Sequence, residues 1–250
     1  MEKNQSGKTH KMRGQLTIDM QFRSSNISKV DETERKTETF VVSYQKMNYF
    51  FKSKPQVQVD QLKITNIGLY SVTPWKEADL ISGWIWEFLG GAKNNSQFIT
   101  MTDATANVGG NTISFHLSGF DQVNSIEKDP LTAQILSQNL QAYQLPTKNV
   151  HCCDYLSIYK ELSQDIVFFD PPWGGPDYKK AKTLDLYLSE VNIINICQEL
   201  LAEKRANLVV IKIPINYNIN NFVTQMSGYH FSIRKVYRYK YHSYSVLFCW

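Results

Sequence analysis

Cysteine and histidine are scarce, with four and five in 250 residues, and neither type is grouped. Cys152 and Cys153 are adjacent, which rarely lets the two bridge, and Cys197 and Cys249 stand alone. The expectation is therefore four reduced thiols, no disulfide framework and no metal site. No apolar run approaches the roughly 20 residues of a membrane-spanning helix. The N-terminal residues are polar and lack a hydrophobic signal segment, so no membrane partner and an intracellular location, cytoplasm or nucleus, are expected. An excess of one charge sign is lacking too. Lys and Arg number 27 against 23 Asp and Glu, a formal net charge of +4. That balance is compatible with a nucleotide or nucleic-acid substrate without demonstrating one, and the lack of any extended basic run disfavours a long duplex. There is no G-x-G-x-x-G and no phosphate-binding P-loop string, which removes the dinucleotide fingerprint and the Walker-type site. No internal repeat is visible.

What is present is enough for a core: 42% of residues are hydrophobic. Residues 1–12 read as disordered, and Gln15 to Phe22 alternates like a strand. Residues 24–37 read as charged loop, and Phe40 to Tyr44 as a second strand. Together 1–60 form an N-terminal extension, and 61–250 the main domain. From residue 75 helix and strand patterns alternate. A helix at 75–90 carries Ala78, Ile81, Trp84, Ile85 and Phe88 at helical spacing and ends at Gly90-Gly91. Strands follow at 98–102, 123–126, 149–153, 165–169 and 206–213, and a terminal hairpin pairs 231–239 with 241–248. Helices are expected from the glycine turn at 109–110 to near Gly119, from Asp129-Pro130 onward with Asp129 as N-cap, and over 184–203. This order gives an α/β fold, a mostly parallel, doubly wound sheet with one antiparallel strand from the C-terminal hairpin.

In such a sheet ligands gather at the carboxyl ends of the strands. Four acids stand there: Asp103, Glu127, Asp154 and Asp170. Together they are costly unless a ligand organises them, and one bearing hydroxyls, amines and a positive centre would do so. After Asp103 the segment Ala104 to Asn111 opens a helix. Gly109 and Gly110 let backbone approach a ligand, and Asn107 tolerates a left-handed turn. The same glycines also fit a plain strand-to-helix turn. Glu127 lies about 24 residues beyond Asp103, near the spacing of roughly 20 expected for an acid on ribose hydroxyls, although a solvated glutamate beside Lys128 reads as well. Asp154 can accept from an adenine amine or be an ordinary loop acid.

The string Phe168-Phe169-Asp170-Pro171-Pro172-Trp173-Gly174-Gly175-Pro176-Asp177-Tyr178 carries the sharpest signal. A buried strand end runs into a loop whose prolines fix φ and offer carbonyls without donors. The Asp170 carboxylate and the Pro171 carbonyl can together accept both N–H groups of a purine amine, aiming its lone pair at an incoming methyl. Trp173 can stack on the base. The alternative for Trp173 is a core tryptophan after a turn, and Gly174-Gly175 speak against it.

The combination of Leu69-Tyr70-Ser71-Val72-Thr73-Pro74, Asp103 through Asn111-Thr112, Glu127-x-Asp129-Pro130, Asp154-Tyr155 and the Asp170 to Tyr178 string resembles the trimethylguanosine synthases. That family consists of Rossmann-like class I methyltransferases with a seven-stranded sheet. They use S-adenosylmethionine to methylate N2 of the 7-methylguanosine RNA cap. The cofactor loop is similar to that of large-DNA-virus relatives. The resemblance covers about 60–250. It implies that Asp103, Ala104, Gly109, Asn111, Thr112 and Glu127 hold the methionine and ribose parts, with Thr73 beside them, and that Asp154 and Tyr155 flank adenine. Asp170, Pro171 and Trp173 would act on the reacting amine. Ser71, Pro74, Tyr178, Lys63 and Lys212 would meet the substrate, the last three as candidates for cap phosphates. The implied substrate is capped RNA or a 7-methylguanosine nucleotide. Three positions depart from the family: Ala106-Asn107 replaces Cys-Gly, Asp170 replaces a serine usual in cellular members, and Ile215 replaces an arginine near the cap phosphates. Two other readings stay open on the residues alone. One is an N2-guanine or N6-adenine methyltransferase for uncapped RNA or DNA, and the other an inactive methyltransferase-fold subunit that binds caps.

Overall fold

The computed structural model describes residues 36–91, 97–238 and 241–250. The strand expected over Gln15 to Phe22, and nearly all of the loop expected over 24–37, lie outside them. Contacts divide the chain into Met1–Lys36 and Thr37–Trp250, and all that follows concerns the second unit.

Short elements open this unit: β1 (Thr39–Phe40), α1 (Tyr44–Phe50), β2 (Ile64–Thr65) and α2 (Gly68–Ser71). The strand expected over Phe40 to Tyr44 stops at Phe40. Ser43 ends it by capping α1, its hydroxyl accepting from the Lys46 N–H. The domain boundary expected at residue 60 also moves. Met47, Phe50, Phe51 and Val57 are buried in one cluster with Ile135, Leu136, Leu140 and Tyr143, so apolar burial joins this segment to the α/β body.

Next come α3 (Trp75–Phe88), β3 (Thr100–Asp103), α4 (Gly110–Leu117), β4 (Gln122–Ile126) and α5 (Pro130–Ala142). The α3 stripe buries Ala78, Ile81 and Ile85, and Gly90 and Gly91 leave the helix with positive φ. Asp129 caps α5 as its sequence suggests, accepting from the Thr132 N–H at 2.8 Å. After β5 (Val150–His151), α6 (Tyr155–Ile158) and β6 (Ile166–Phe169), the helix expected over 184–203 is only half right. A small antiparallel pair, β7 (Tyr187–Leu188) and β8 (Val191–Asn192), turns through Ser189 and Glu190 at positive φ. Asn192 then caps α7 (Ile193–Ala202). The chain closes with β9 (Leu208–Pro214), α8 (Ile219–Gln225), β10 (Phe231–Arg238) and β11 (Tyr241–Cys249).

Seven strands form the main sheet in the order β10-β11-β9-β6-β3-β4-β5. β3, β4, β5, β6 and β9 run parallel, and β11 is antiparallel to both β9 and β10. This is the expected mostly parallel, Rossmann-like sheet, with its C-terminal hairpin. β6 and β9 are buried along their whole length, which explains their unbroken apolar runs. β3 pairs with β4 on one side and β6 on the other, so the strand order reverses there and a crevice opens at the carboxyl ends.

Candidate active site

A cavity of about 630 Å³ fills that crevice, within the range of roughly 300–1,000 Å³ typical of ligand pockets. Ala104, Asn111, Glu127, Asp154, Tyr155 and Thr73 line it, and so do Asp170, Pro171, Trp173, Tyr178, Ser71 and Lys212.

Asp103 lies behind the lining rather than in it. Its carboxylate is fully buried, accepts from Thr112 Oγ1 at 2.7 Å and from the Thr105 N–H at 3.4 Å, and so ties the loop after β3 to the start of α4. Burial pushes its pKa up to about 7, helped by the nearby charges of Asp170 and Glu127. Thr112 and Gly109 also stand behind the loop. Thr112 is spent on Asp103, and Gly109 turns at φ 102° where a Cβ would meet Leu136. Asn107 takes the left-handed conformation at φ 49°. Its N–H donates to Glu127 Oε2 at 3.0 Å and its amide to Ser71 Oγ at 2.9 Å, so it joins the loop after β3 to the segment before α3. Glu127 also accepts from the Asp129 N–H at 2.9 Å, and burial raises its pKa.

Asp154 caps α6 through the Leu156 N–H at 2.9 Å, and its other oxygen accepts from Ser189 on the β7–β8 turn. Tyr155 is buried against Phe169, its hydroxyl paired with Gln164.

Beside the acids, Asp170 Oδ2 accepts from Lys212 Nζ at 2.7 Å and from Thr73 Oγ1 at 3.3 Å, and the Asp170 N–H donates to Thr105 Oγ1 at 2.7 Å. Burial raises the Asp170 pKa and Lys212 opposes that rise. Thr73 Oγ1 also accepts from Lys212 Nζ at 2.9 Å and from Asn111 Nδ2 at 3.0 Å. The other amide atom of Asn111, Oδ1, is buried without a partner among the described residues. A buried acceptor of that kind fits an ammonium, and the Glu127 carboxylate in the same lining fits vicinal hydroxyls, so the residues present suit S-adenosylmethionine.

Trp173 is half-buried. It lines the cavity while packing at the edge of two core clusters, with its ring 5.2 Å from Tyr178. Two expected substrate residues lie elsewhere, and a third lines the cavity but is already engaged. Lys63 is exposed and outside the lining, held through its backbone by Asn139. Pro74 is buried, its carbonyl accepting from the Glu77 and Ala78 N–H groups as α3 begins. Lys212 is 6% exposed and bound to Asp170, which leaves it unsuited to phosphate.

Arg238, Lys179 and Ser243 line the cavity without having stood out in the sequence. Arg238 Nε donates to Glu77 Oε1 at 2.5 Å and its NH2 to Oε2 at 2.9 Å, and Tyr244 donates to the same Glu77 at 2.8 Å. A register shift after Val236 leaves Ser243 as the extra residue between Tyr244 and His242. Bulges of this kind re-aim side chains beside functional sites. Only the hairpin itself was visible beforehand; which residue faced the cleft depended on that bulge.

Residues 99–247 match the family model described as RNA cap guanine-N2 methyltransferase. Over 134 residues the chain is 36% identical to an uncharacterised protein of Acanthamoeba polyphaga mimivirus, covering 52% of each. Over 116 residues it is 36% identical to the trimethylguanosine synthase of Schizosaccharomyces pombe, covering 44% of this chain and 45% of that one. The chain thus spans about half the length of the curated relatives it matches. Among solved structures, a T. Thermophilus 16S rRNA N2 methyltransferase in complex with AdoMet and guanosine superposes with a TM-score of 0.54 at 18% identity, covering 75% of this chain and 46% of that one. The human methyltransferase 10 domain containing protein gives 0.51 at 10% identity, covering 76% and 89%.

Proposed function

The chain belongs to the RNA cap guanine-N2 methyltransferase family, and we propose that it moves a methyl group from S-adenosylmethionine to the N2 amine of a 7-methylguanosine cap, giving the dimethyl or trimethyl form. The observation that carries this reading is the polarity of one cavity. Glu127 and Asp154 follow β4 and β5 toward one edge of the sheet, Arg238 ends β10 at the other edge, Asp170 and Trp173 follow β6 between them, and all of these line the cavity with Asn111 and Lys179. A cationic, hydroxyl-rich cofactor suits the first edge and an anionic phosphate chain the second.

The cofactor supplies an electrophilic methyl on a sulfonium. The chain's own groups do the rest. Asp170 Oδ1, which has no partner among the described residues, and the Pro171 carbonyl accept the two N–H groups of the guanine amine. Alignment of this sort yields up to about 7–11 kcal/mol in well-oriented systems. Methyl transfer would leave the amine acidic, and Asp170 would take its proton, so no stronger base is needed. The base stacks on the Trp173 face turned away from Lys212, where a positively charged purine gains roughly 0.5–2 kcal/mol of cation–π attraction. Arg238 and Lys179 take the phosphates, because Ile215, 52% exposed where the resemblance implies arginine, has no charge to offer. Capped RNA is the partner in this reading.

Mass spectrometry of 7-methyl-GTP after incubation with the cofactor tests it. A gain of one or two methyls on N2 is expected. An unmodified nucleotide, with cofactor binding demonstrated by calorimetry, overturns it, and transfer to uncapped RNA instead moves the substrate.

A further inference from the structure

β9 is buried from Leu208 to Pro214, yet it carries a lysine. The side chains of Lys212 and Asp170 are only 7% and 12% exposed. Stability alone does not account for such a pair, since replacing buried ion pairs with apolar groups of similar volume is often neutral or stabilising.

The surrounding bonds show what the charge does. Lys212 Nζ donates to Asp170 Oδ2 and to Thr73 Oγ1. It also sits 4.8 Å from the centre of the Tyr244 ring and 5.3 Å from that of Trp173. Two oxygens and two aromatic faces therefore fix the ammonium. Thr73 Oγ1 accepts from Lys212 and from the Asn111 amide, and both of these are donors only. The Thr73 proton is thereby directed to Asp170 Oδ2. Oδ2 is thus held by two donors, and Oδ1 is the carboxylate oxygen of Asp170 with no partner among the described residues.

Resting on the proposed amine-methylating reaction, we propose that Lys212 is a positioning residue: it holds Asp170 ionised and oriented so that Oδ1 faces the substrate amine. The other ionisable groups coupled to Asp170 among the described residues do not favour that state. Glu77 from α3 and Asp103 from β3 oppose a negative charge, and the Tyr244 phenol from β11 supplies no positive one. Glu77 is partly offset by Arg238. Without Lys212, a carboxyl buried among acids would hold its proton, offer a donor where an acceptor is required and be unable to take the proton that the amine releases.

The test is the pH profile of kcat/KM on 7-methyl-GTP for the wild type and for Lys212→Met, with Lys212→Gln as the second variant should the first not fold. The acid limb, where activity falls as Asp170 protonates, is expected to move up by about one pH unit or more. Activity at neutral pH should drop about ten-fold or more and recover in part at high pH. Lys212→Arg should restore much of it, and adding Lys212→Met to Asp170→Asn should cost little further, because the two act through one interaction. Carboxyl-carbon NMR titration of Asp170, assigned with Asp170→Asn, should report the same upward shift without any acceptor present. A wild-type acid limb retained in Lys212→Met, or equal losses at every pH, overturns the inference and leaves the reaction standing. A wild type that binds cofactor but leaves 7-methyl-GTP unmodified overturns the functional reading, and the inference with it.

Discussion

Asp103 illustrates how one side chain can serve the site from outside it. The carboxylate never reaches the cavity, yet it sets the loop that does, through Thr112 and Thr105. Its folded pKa, pushed up to about 7 from an ordinary 3.8, means the fold prefers the protonated form. The stability it contributes is complete below the ordinary carboxylate range and is lost as pH rises through about 7. In the cofactor-free protein, urea midpoints should show the wild type losing up to about 1.4 kcal/mol per pH unit across that window relative to Asp103→Asn. Parallel curves for the two proteins would contradict the assignment. The acid itself was legible in the sequence because it follows a strand and precedes a glycine turn. Its burial was not, because that depends on Thr112 folding back onto it. Likewise Asp170 was legible as an acceptor, while its partner Lys212, 42 positions away, was not.

Short range decides some elements and long range others. α5 follows from local chemistry: Asp129 caps it and Pro130 pre-sets its first turn. Asp129→Ala should cost about 1 kcal/mol in chemical denaturation and leave cofactor affinity little changed. The stretch at 184–192 was drawn into the helix that follows it, although Leu184, Leu186 and Leu188 alternate as a strand does, and left-handed Ser189 and Glu190 turn it into a two-stranded pair that reaches Asp154. α1 was missed for the opposite reason: a serine cap hidden in an apolar, strand-like run. The start of α4 joins both ranges. A Cβ on Gly110 would lie 2.6 Å from the Thr73 carbonyl and 2.8 Å from Val72 Cγ2, atoms of a segment that cannot retreat without moving Thr73 itself. Gly110→Ala should therefore cost about 1–3 kcal/mol of stability. It should also weaken cofactor binding in calorimetry, because Asn111 and Thr73 move together. Retained affinity would show that the two segments are not coupled.

At the scale of the molecule, a nearly balanced composition conceals a divided cleft. The formal charge of +4 says little, but the sheet gathers acids at the ends of β4, β5 and β6 while the C-terminal hairpin brings Arg238 to the same cavity. Arg238→Gln should raise the KM for 7-methyl-GTP by roughly ten-fold or more, the scale of one charge-assisted hydrogen bond of about 1.5–3 kcal/mol. It should slow turnover of 7-methylguanosine nucleoside less, through the Glu77 charge it leaves uncompensated near Asp170, and the ratio of kcat/KM for the two substrates isolates the phosphate contribution. An unchanged ratio would remove Arg238 from phosphate recognition. By itself the sequence determined the α/β class, the order of the sheet-forming segments and the four acids at strand ends, since periodicity, caps and turn residues act within a few positions. The tertiary structure alone decided that Lys212 would neutralise Asp170, that Lys63 and Pro74 would fall outside the cavity and that Arg238 would enter it. Each of those outcomes depends on which strands lie side by side and on one bulge in β11, and burial changes a charged group only once its distant neighbours are in place.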